Sequence, residues 1–175
     1  MILISMIYAT SQDNILGHKK TIPWQAKGEQ ARFIAATQNK LVVMGRLTYE
    51  THFRRVPSEN IIVLSSHPID DPQVKRAHSL DEALLIAQEQ GRTELVITGG
   101  AKLYNEAVKI CHVIYKSTVL VNVIGDVYGP KIPTERFKLV WVKNIKENPA
   151  YSYQTFVIKE FENKKLTADF GLLVV

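Results

Sequence analysis

The 175-residue sequence predicts an α/β fold: a mostly parallel central sheet with helices on both faces and an antiparallel C-terminal edge. Two patterns point to it. Apolar runs alternate with amphipathic helical segments through residue 110, whereas the strand-like segments after it follow one another without a helix. The first runs are also nearly continuous in hydrophobes, Ile2-Leu-Ile-Ser-Met-Ile-Tyr-Ala9 being the clearest, as expected of strands covered on both faces.

Residues 1–9 read as the first strand, and the polar segment 10–20 as a loop, long enough for a lid and equally readable as plain surface. A helix is expected over 27–38, with Glu29, Phe33 and Ala36 on one stripe at i, i+4 and i+7. Residues 41–46 form a strand ending in glycine and a charge, followed by a short helix over 47–52. The strand 60–66 ends in two hydroxyls, Pro68, Asp70, Asp71 and Pro72 make a loop, and 74–78 is a short strand. Ser79-Leu-Asp-Glu82 has capping-box spacing, and Leu80, Ala83, Leu84 and Ala87 line one face of the helix that Gly91 ends. A strand over 94–98 leads through Gly99-Gly100 into a helix over 101–108. Strands follow at 113–123, 137–145 and 151–158, the last two joined by a turn at Asn148-Pro149. Residues 1–160 form one domain, and 161–175 an extension that is either an added strand or an appendage.

The net charge of +5, from 22 basic and 17 acidic residues, is scattered without an aromatic-interleaved basic run; a small anionic ligand accounts for it as well as a polyanion would, and no nucleic-acid partner is expected. The apolar start is too short for a membrane span and lacks a positive leader, so no membrane and a cytoplasmic setting are expected. Cys111 is the only cysteine, which excludes an internal disulfide. The five histidines, His18, His52, His67, His78 and His112, show no i, i+4 pair, so no metal is expected. No Gly-x-Ser-x-Gly turn marks a serine nucleophile.

The chemistry is expected in the stretch 22–33, where Glu29 puts a lone carboxylate on an inward stripe. The competing reading is an acid that merely complements the dipole of a first helical turn. Three strand ends carry groups suited to a phosphorylated ligand. These are Gly45-Arg46-Leu47-Thr48, Leu64-Ser65-Ser66 and Thr98-Gly99-Gly100-Ala101-Lys102, which combine close backbone approach, hydroxyls and a guanidinium. Neither Gly-x-Gly-x-x-Gly nor a phosphate loop ending Gly-Lys-Ser/Thr is present, so any dinucleotide is bound another way.

Ile22-Pro-Trp24, the acid five residues later with Phe33 four beyond it, Met44-Gly-Arg-x-Thr48, Leu64-Ser-Ser66, Gly99-Gly100 with Tyr104, and Gly125-Asp126 together resemble dihydrofolate reductase in order and spacing. The resemblance runs from residue 1 to about 159, and Ile-Pro-Trp-x-Ala-Lys-Gly-Glu-Gln looks particularly like the mobile, trimethoprim-insensitive bacterial members, in which glutamate replaces aspartate. It implies NADPH as cofactor, dihydrofolate as substrate, antifolates as further ligands, and a monomer. Glu29 would bind the pterin 2-amino group and N3, with Ser117 bonded to that acid. Ile22 and Trp24 would belong to a mobile loop over the nicotinamide, and Tyr104 would lie beside the reacting ring. Ile7, Tyr8, Gln30, Phe33, His52, Val56 and Thr98 are implied at the substrate. Ala9, Leu16, Gly17, Gly45, Arg46, Leu47, Thr48, Leu64, Ser65, Ser66, Gly99, Gly100, Ala101, Lys102 and Leu103 are implied at the cofactor. Gly99 and Gly100 match a pair joined by a cis peptide.

The implied reaction is hydride transfer to C6 of dihydrofolate, with N5 protonated from water. Two departures stand out. Glu59 occupies the position, two residues after Pro57, where the family has an arginine for the substrate's glutamate tail; either Arg32, Arg54 or Arg55 supplies the grip, or the tail is held weakly, or the preferred pterin lacks one. The family's Gly-Asp-x-x-Phe-Pro appears as Gly125-Asp-Val-Tyr-Gly-Pro130. A reductase of the same fold acting on a tail-less pterin or another heterocycle, and a nucleotide-binding module without catalysis, are the alternatives.

Overall fold

The strand Leu3–Ser11 (β1) is buried along almost its whole length because parallel strands flank it on both sides, which explains its continuous hydrophobicity. The structure, a computed structural model, describes residues 2–52 and 56–161, with the side chains of His52 and Phe161 outside that description. After β1 come Ile15–Gly17 (β2), Gln30–Thr37 (α1), Leu41–Gly45 (β3), Arg46–His52 (α2), Ile61–Leu64 (β4), Lys75–Ala77 (β5) and Leu80–Glu89 (α3). Glu94–Ile97 (β6), Ala101–Ala107 (α4), Val113–Val119 (β7), Val127–Tyr128 (β8), Phe137–Ile145 (β9) and Tyr151–Ile158 (β10) follow.

Eight strands form one sheet in the order β5-β4-β3-β6-β1-β7-β10-β9, and β10 alone among them runs opposite to the rest, antiparallel to β7 and β9 on either side. The expected mostly parallel sheet with an antiparallel C-terminal edge is therefore present. Side-chain alternation sends Leu3 and Ile7 of β1 to one face, where Ala36 of α1 and Tyr49 of α2 pack with Val113 and Tyr115. It sends Ile4, Met6 and Tyr8 to the other, against Leu80, Ala83 and Ala87 of α3 and Leu103, Tyr104 and Ala107 of α4. At the start of α3, Ser79 Oγ accepts from the Glu82 amide (3.1 Å), and the Glu82 carboxylate accepts from the His78 amide (2.7 Å).

Three boundaries differ from the sequence-based expectation. The segment 10–20 is not one open loop: β1 runs to Ser11, and β2 pairs with β8 far along the chain. The helix expected over 27–38 starts at Gln30, because Gly28 takes φ +80° and ends any helical run from Lys27. The strand expected over 113–123 stops at Val119, its last residue opposite β10, whose partner Tyr151 begins that strand. Arg54, Arg55 and most of the extension 161–175 lie outside the described residues.

The segment 125–130 packs through its glycines. A Cβ at Gly125 would stand 2.1 Å from Ile15 Cγ2, and one at Gly129 would stand 2.8 Å from Thr10 Cγ2 and 3.4 Å from Tyr8 Cε2. A side chain at 129 would meet Thr10 Cγ2 and Asn14 Oδ1 (2.9 Å) first, with the Tyr8 ring edge behind them. Asn14 closes the contact, donating from Nδ2 to Gly129 O (2.8 Å) and accepting the Gly129 amide at its own carbonyl (2.9 Å).

Candidate active site

The strand lengths open a crevice at the carboxyl ends of the parallel strands. The last β1–β6 pair is Met6 with Ile97, whereas β1 continues beside β7 as far as Ser11 opposite Val119. From Ile7 onward β1 thus has one edge unpaired by β6, where ligands of such sheets bind. The Tyr104 hydroxyl reaches across from α4 and donates to Ile7 O (2.8 Å).

Beyond β6 the chain passes through Gly99-Gly100, joined by a cis peptide bond. Gly99 has φ +123°; a Cβ there would lie 3.3 Å from Tyr104 Oη, and one at Gly100 would lie 3.2 Å from Thr48 Oγ1. The Gly45 amide donates to Gly99 O (2.7 Å) and the Thr98 amide to Val43 O (3.0 Å), which pins this turn to the end of β3. Bare backbone at 45, 99 and 100 beside the Thr48 hydroxyl is a cradle that side chains would fill, and it fits a ligand that needs close main-chain approach.

Glu29 sits just before α1, on the other side of β1. Two tyrosines of β10 clamp its turn: Tyr151 Oη donates to Lys27 O (2.9 Å), and Tyr153 Oη lies 2.9 Å from Gly28 O and 3.0 Å from Glu29 O. Ser117, paired in register with Ala9 and with Tyr153, points its hydroxyl to the Glu29 carboxylate. Burial pushes the carboxyl above its ordinary value, while the Ser117 hydrogen bond and the positive charge of Arg32 pull it back.

Ile7, Phe33 and Val56 join the core cluster on this face, whereas Tyr8 projects to the opposite face and stacks at 5.2 Å on Tyr104. Gln30 is exposed at the start of α1; Thr98 is buried, its hydroxyl 3.3 Å from Val43 O. His52 ends α2, and its side chain lies outside the described residues. Trp24 packs half-buried against Val119, Tyr151 and Tyr153, while Ile22 is 50% exposed.

The strand ends expected to face phosphates are less uniform than their sequences. Arg46 Nε donates to Glu50 (2.5 Å), and both residues border a cleft of about 280 Å³ shared with Tyr49, Ile69, Asp70 and Asp71. Ser65 is buried, its hydroxyl engaged with the main chain of His67, and Ser66 is exposed. Leu47 and Lys102 are exposed, Ala9, Leu16, Gly17, Leu64 and Ala101 are half-buried, and Leu103 is buried in the core under α4.

Sequence reasoning missed the Tyr151–Tyr153 clamp, although two aromatics at i, i+2 on a strand were visible, and it misassigned Arg32. As a candidate grip for the glutamate tail, Arg32 is corrected: it is buried, with its donors turned to Lys116 O, Gln154 O and Thr155 Oγ1 in the sheet. Among the described residues no helix is long and apolar enough to cross a membrane.

The family model for dihydrofolate reductase matches residues 3–161. The chain is 32% identical to dihydrofolate reductase type 15 of Escherichia coli over 86% of its length and 96% of the relative, and 31% identical to type 1 over the same shares. It is 32% identical to dihydrofolate reductase of Lactococcus lactis subsp. lactis over 93% of its length and 99% of the relative. Among solved structures, an Enterococcus faecalis dihydrofolate reductase complexed with NADP(H) and RAB-propyl superposes with TM-score 0.78 at 23% identity, covering 90% of this chain and 96% of that one.

Proposed function

The chain belongs to the dihydrofolate reductase family, and from that membership we propose that it reduces 7,8-dihydrofolate to 5,6,7,8-tetrahydrofolate with NADPH. The observation that carries the proposal for this chain is the Glu29 carboxylate, partly buried and bonded by Ser117, on one side of a crevice whose other side is the glycine turn at 99–100.

Glu29 accepts from the pterin 2-amino group and N3-H, which fixes the ring's register, and Ser117 holds the carboxylate in the plane that this needs. Ile7, Phe33 and Val56 supply an apolar wall for the ring, with Gln30, His52 and Thr98 in supporting places around it and Tyr8 contributing through its main chain on β1. NADPH, when bound, supplies the hydride for C6. Gly45, Thr48, Gly99 and Gly100 hold it through close main-chain approach, Arg46 and Ser66 meet its adenosine phosphate, and Tyr104 keeps β1 at Ile7 at a fixed distance from the cradle. Ile22 and Trp24 cover the nicotinamide side and exclude bulk water, apart from the water that protonates N5. Glu29 orients and polarises the ring; it does not itself carry that proton.

Residues 1–160 make up this catalytic domain, working as a monomer in the cytoplasm, and its pterin cleft also takes antifolates. The resemblance of the stretch 22–30 to the trimethoprim-insensitive bacterial members supports weak inhibition by trimethoprim. A tail-less pterin is favoured as an alternative substrate by one feature: Glu59 is exposed in the turn Ser58–Asn60 where the family has its arginine, and Arg32 is buried. One assay tests both. Loss of NADPH absorbance is followed with dihydrofolate and with dihydropterin, with and without trimethoprim. Oxidation that depends on dihydrofolate and persists with the drug is expected; oxidation with neither pterin contradicts the proposal.

A further inference from the structure

Arg32 is 3% exposed, three residues beyond Glu29, and the mechanism leaves it unused. Its Nη1 donates to Lys116 O and Gln154 O, both at 3.0 Å, and its Nη2 to Thr155 Oγ1 at 2.6 Å. The rings of Tyr153, Tyr115 and Trp141 surround the guanidinium at 5.0, 5.4 and 5.4 Å. Every hydrogen-bond acceptor it uses is neutral. A buried cation in such company needs an anion to offset its desolvation, and the carboxylate whose charge reaches it is Glu29, held by the same Tyr153 that packs on the guanidinium.

The anchoring also has a mechanical side. Lys116 precedes Ser117, and Gln154 follows Tyr153, so the two carbonyls gripped by Arg32 adjoin the two residues whose side chains hold Glu29. The groups facing the Glu29 carboxylate are Arg32 on α1, the Ser117 hydroxyl on β7 and the Tyr153 phenol on β10. Tyr115 faces Arg32, and Tyr151 is turned to Lys27 O. Burial pushes the guanidinium down to about 10, so it stays protonated across the neutral range.

We propose that Arg32 is a positioning residue for Glu29: its guanidinium, tied across β7 and β10, keeps the carboxylate ionised from within the sheet and fixes the strand pair that carries Ser117 and Tyr153. This rests on Glu29 being the pterin anchor. Arg32 touches neither substrate nor cofactor; its effect passes through the acid.

The test is a ¹³C NMR titration of the Glu29 carboxyl carbon in the full chain, assigned by the signal lost in Glu29→Gln. Arg32→Met is expected to raise the midpoint by about one pH unit or more, and Arg32→Lys to leave it within a few tenths. Arg32→Gln keeps donors for the strand carbonyls without the charge, and it decides the matter if Arg32→Met does not fold. In steady-state assays at pH 7 the neutral variants lose mainly through a higher KM for dihydrofolate, and Arg32→Lys recovers most of the loss. An unmoved midpoint in the neutral variants, or an equal rise in Arg32→Lys, overturns the proposal. The titration needs no turnover: an inactive wild type with a shifted midpoint refutes the reductase reading alone, and an active wild type with an unmoved midpoint refutes the role of Arg32 alone.

Discussion

The Tyr153 hydroxyl lies 3.0 Å from the main-chain oxygen of Glu29, 124 residues away in sequence, and fixes the turn that presents the carboxylate. Tyr153→Phe removes that contact and the one to Gly28 O (2.9 Å) while keeping the ring. A loss of about 0.5–1.5 kcal/mol in urea unfolding is expected, together with a raised KM for dihydrofolate and an unchanged Kd for NADPH. Unchanged KM would show that the turn holds without the clamp.

Glu29 also gives stability a pH dependence of definite sign. Its carboxyl titrates above the ordinary carboxylate value because burial disfavours the anion. The folded ligand-free protein therefore binds this proton more tightly than the unfolded chain does. That contribution is fully present below the ordinary value and is lost as pH rises through the raised one. Relative to Glu29→Gln, the wild type is expected to gain stability as pH is lowered from neutral into the carboxylate range, measured by denaturant unfolding. A difference that stays flat, or that grows with pH, contradicts the desolvated carboxylate.

Gly99→Ala tests the cradle. The alanine would have to adopt φ +123° with its Cβ 3.3 Å from Tyr104 Oη and 3.4 Å from Thr48 Oγ1. A cost of about 1–3 kcal/mol is expected from the backbone alone. NADPH affinity, measured by fluorescence titration, should fall at least tenfold. Gly91→Ala, at φ +64° with nothing within 4 Å of its Cβ, is the control that shares the backbone penalty and spares the cofactor.

Thr10 and Gly129 are expected to be energetically coupled, because a Cβ at 129 would stand 2.8 Å from Thr10 Cγ2. Gly129→Ala overpacks this contact, and Thr10→Ser removes the methyl that it meets. In a double-mutant cycle by thermal unfolding, the combined variant should be more stable than the sum of the two by about 0.5–3 kcal/mol. Additivity would mean that the methyl does not hold that space.

What the sequence revealed of this fold is what short-range physics decides. The capping box at Ser79, the continuous apolar run of β1 and the Gly99-Gly100 turn each depend on neighbours a few residues away, and each lies where expected. The inward direction of Glu29 followed from a 3.6-residue period, although Gly28 removes its first turn from the helix. What was not legible depends on distant partners. The period that turns Glu29 inward also turns Arg32 inward, but the acceptors that make its burial tolerable stand 84 or more residues away. The pairing of β2 with β8 is hidden for the same reason, as is the way Thr10 and Asn14 close on Gly129. Ser65 shows the converse: its position at a strand end was legible, whereas the bond of its hydroxyl to its own turn was not.

The central claim is that Glu29 anchors a pterin beside separately bound NADPH, and Glu29→Ala tests it most directly. Turnover of NADPH and dihydrofolate is measured for this variant and the wild type, with NADPH affinity measured on the same preparations. The expected result is dihydrofolate-dependent oxidation in the wild type, reduced at least a hundredfold in the variant, about 2.7 kcal/mol or more of lost transition-state stabilisation, with NADPH affinity within about twofold. Undiminished turnover in the variant, or a loss of NADPH affinity as large as the loss of turnover, would contradict it.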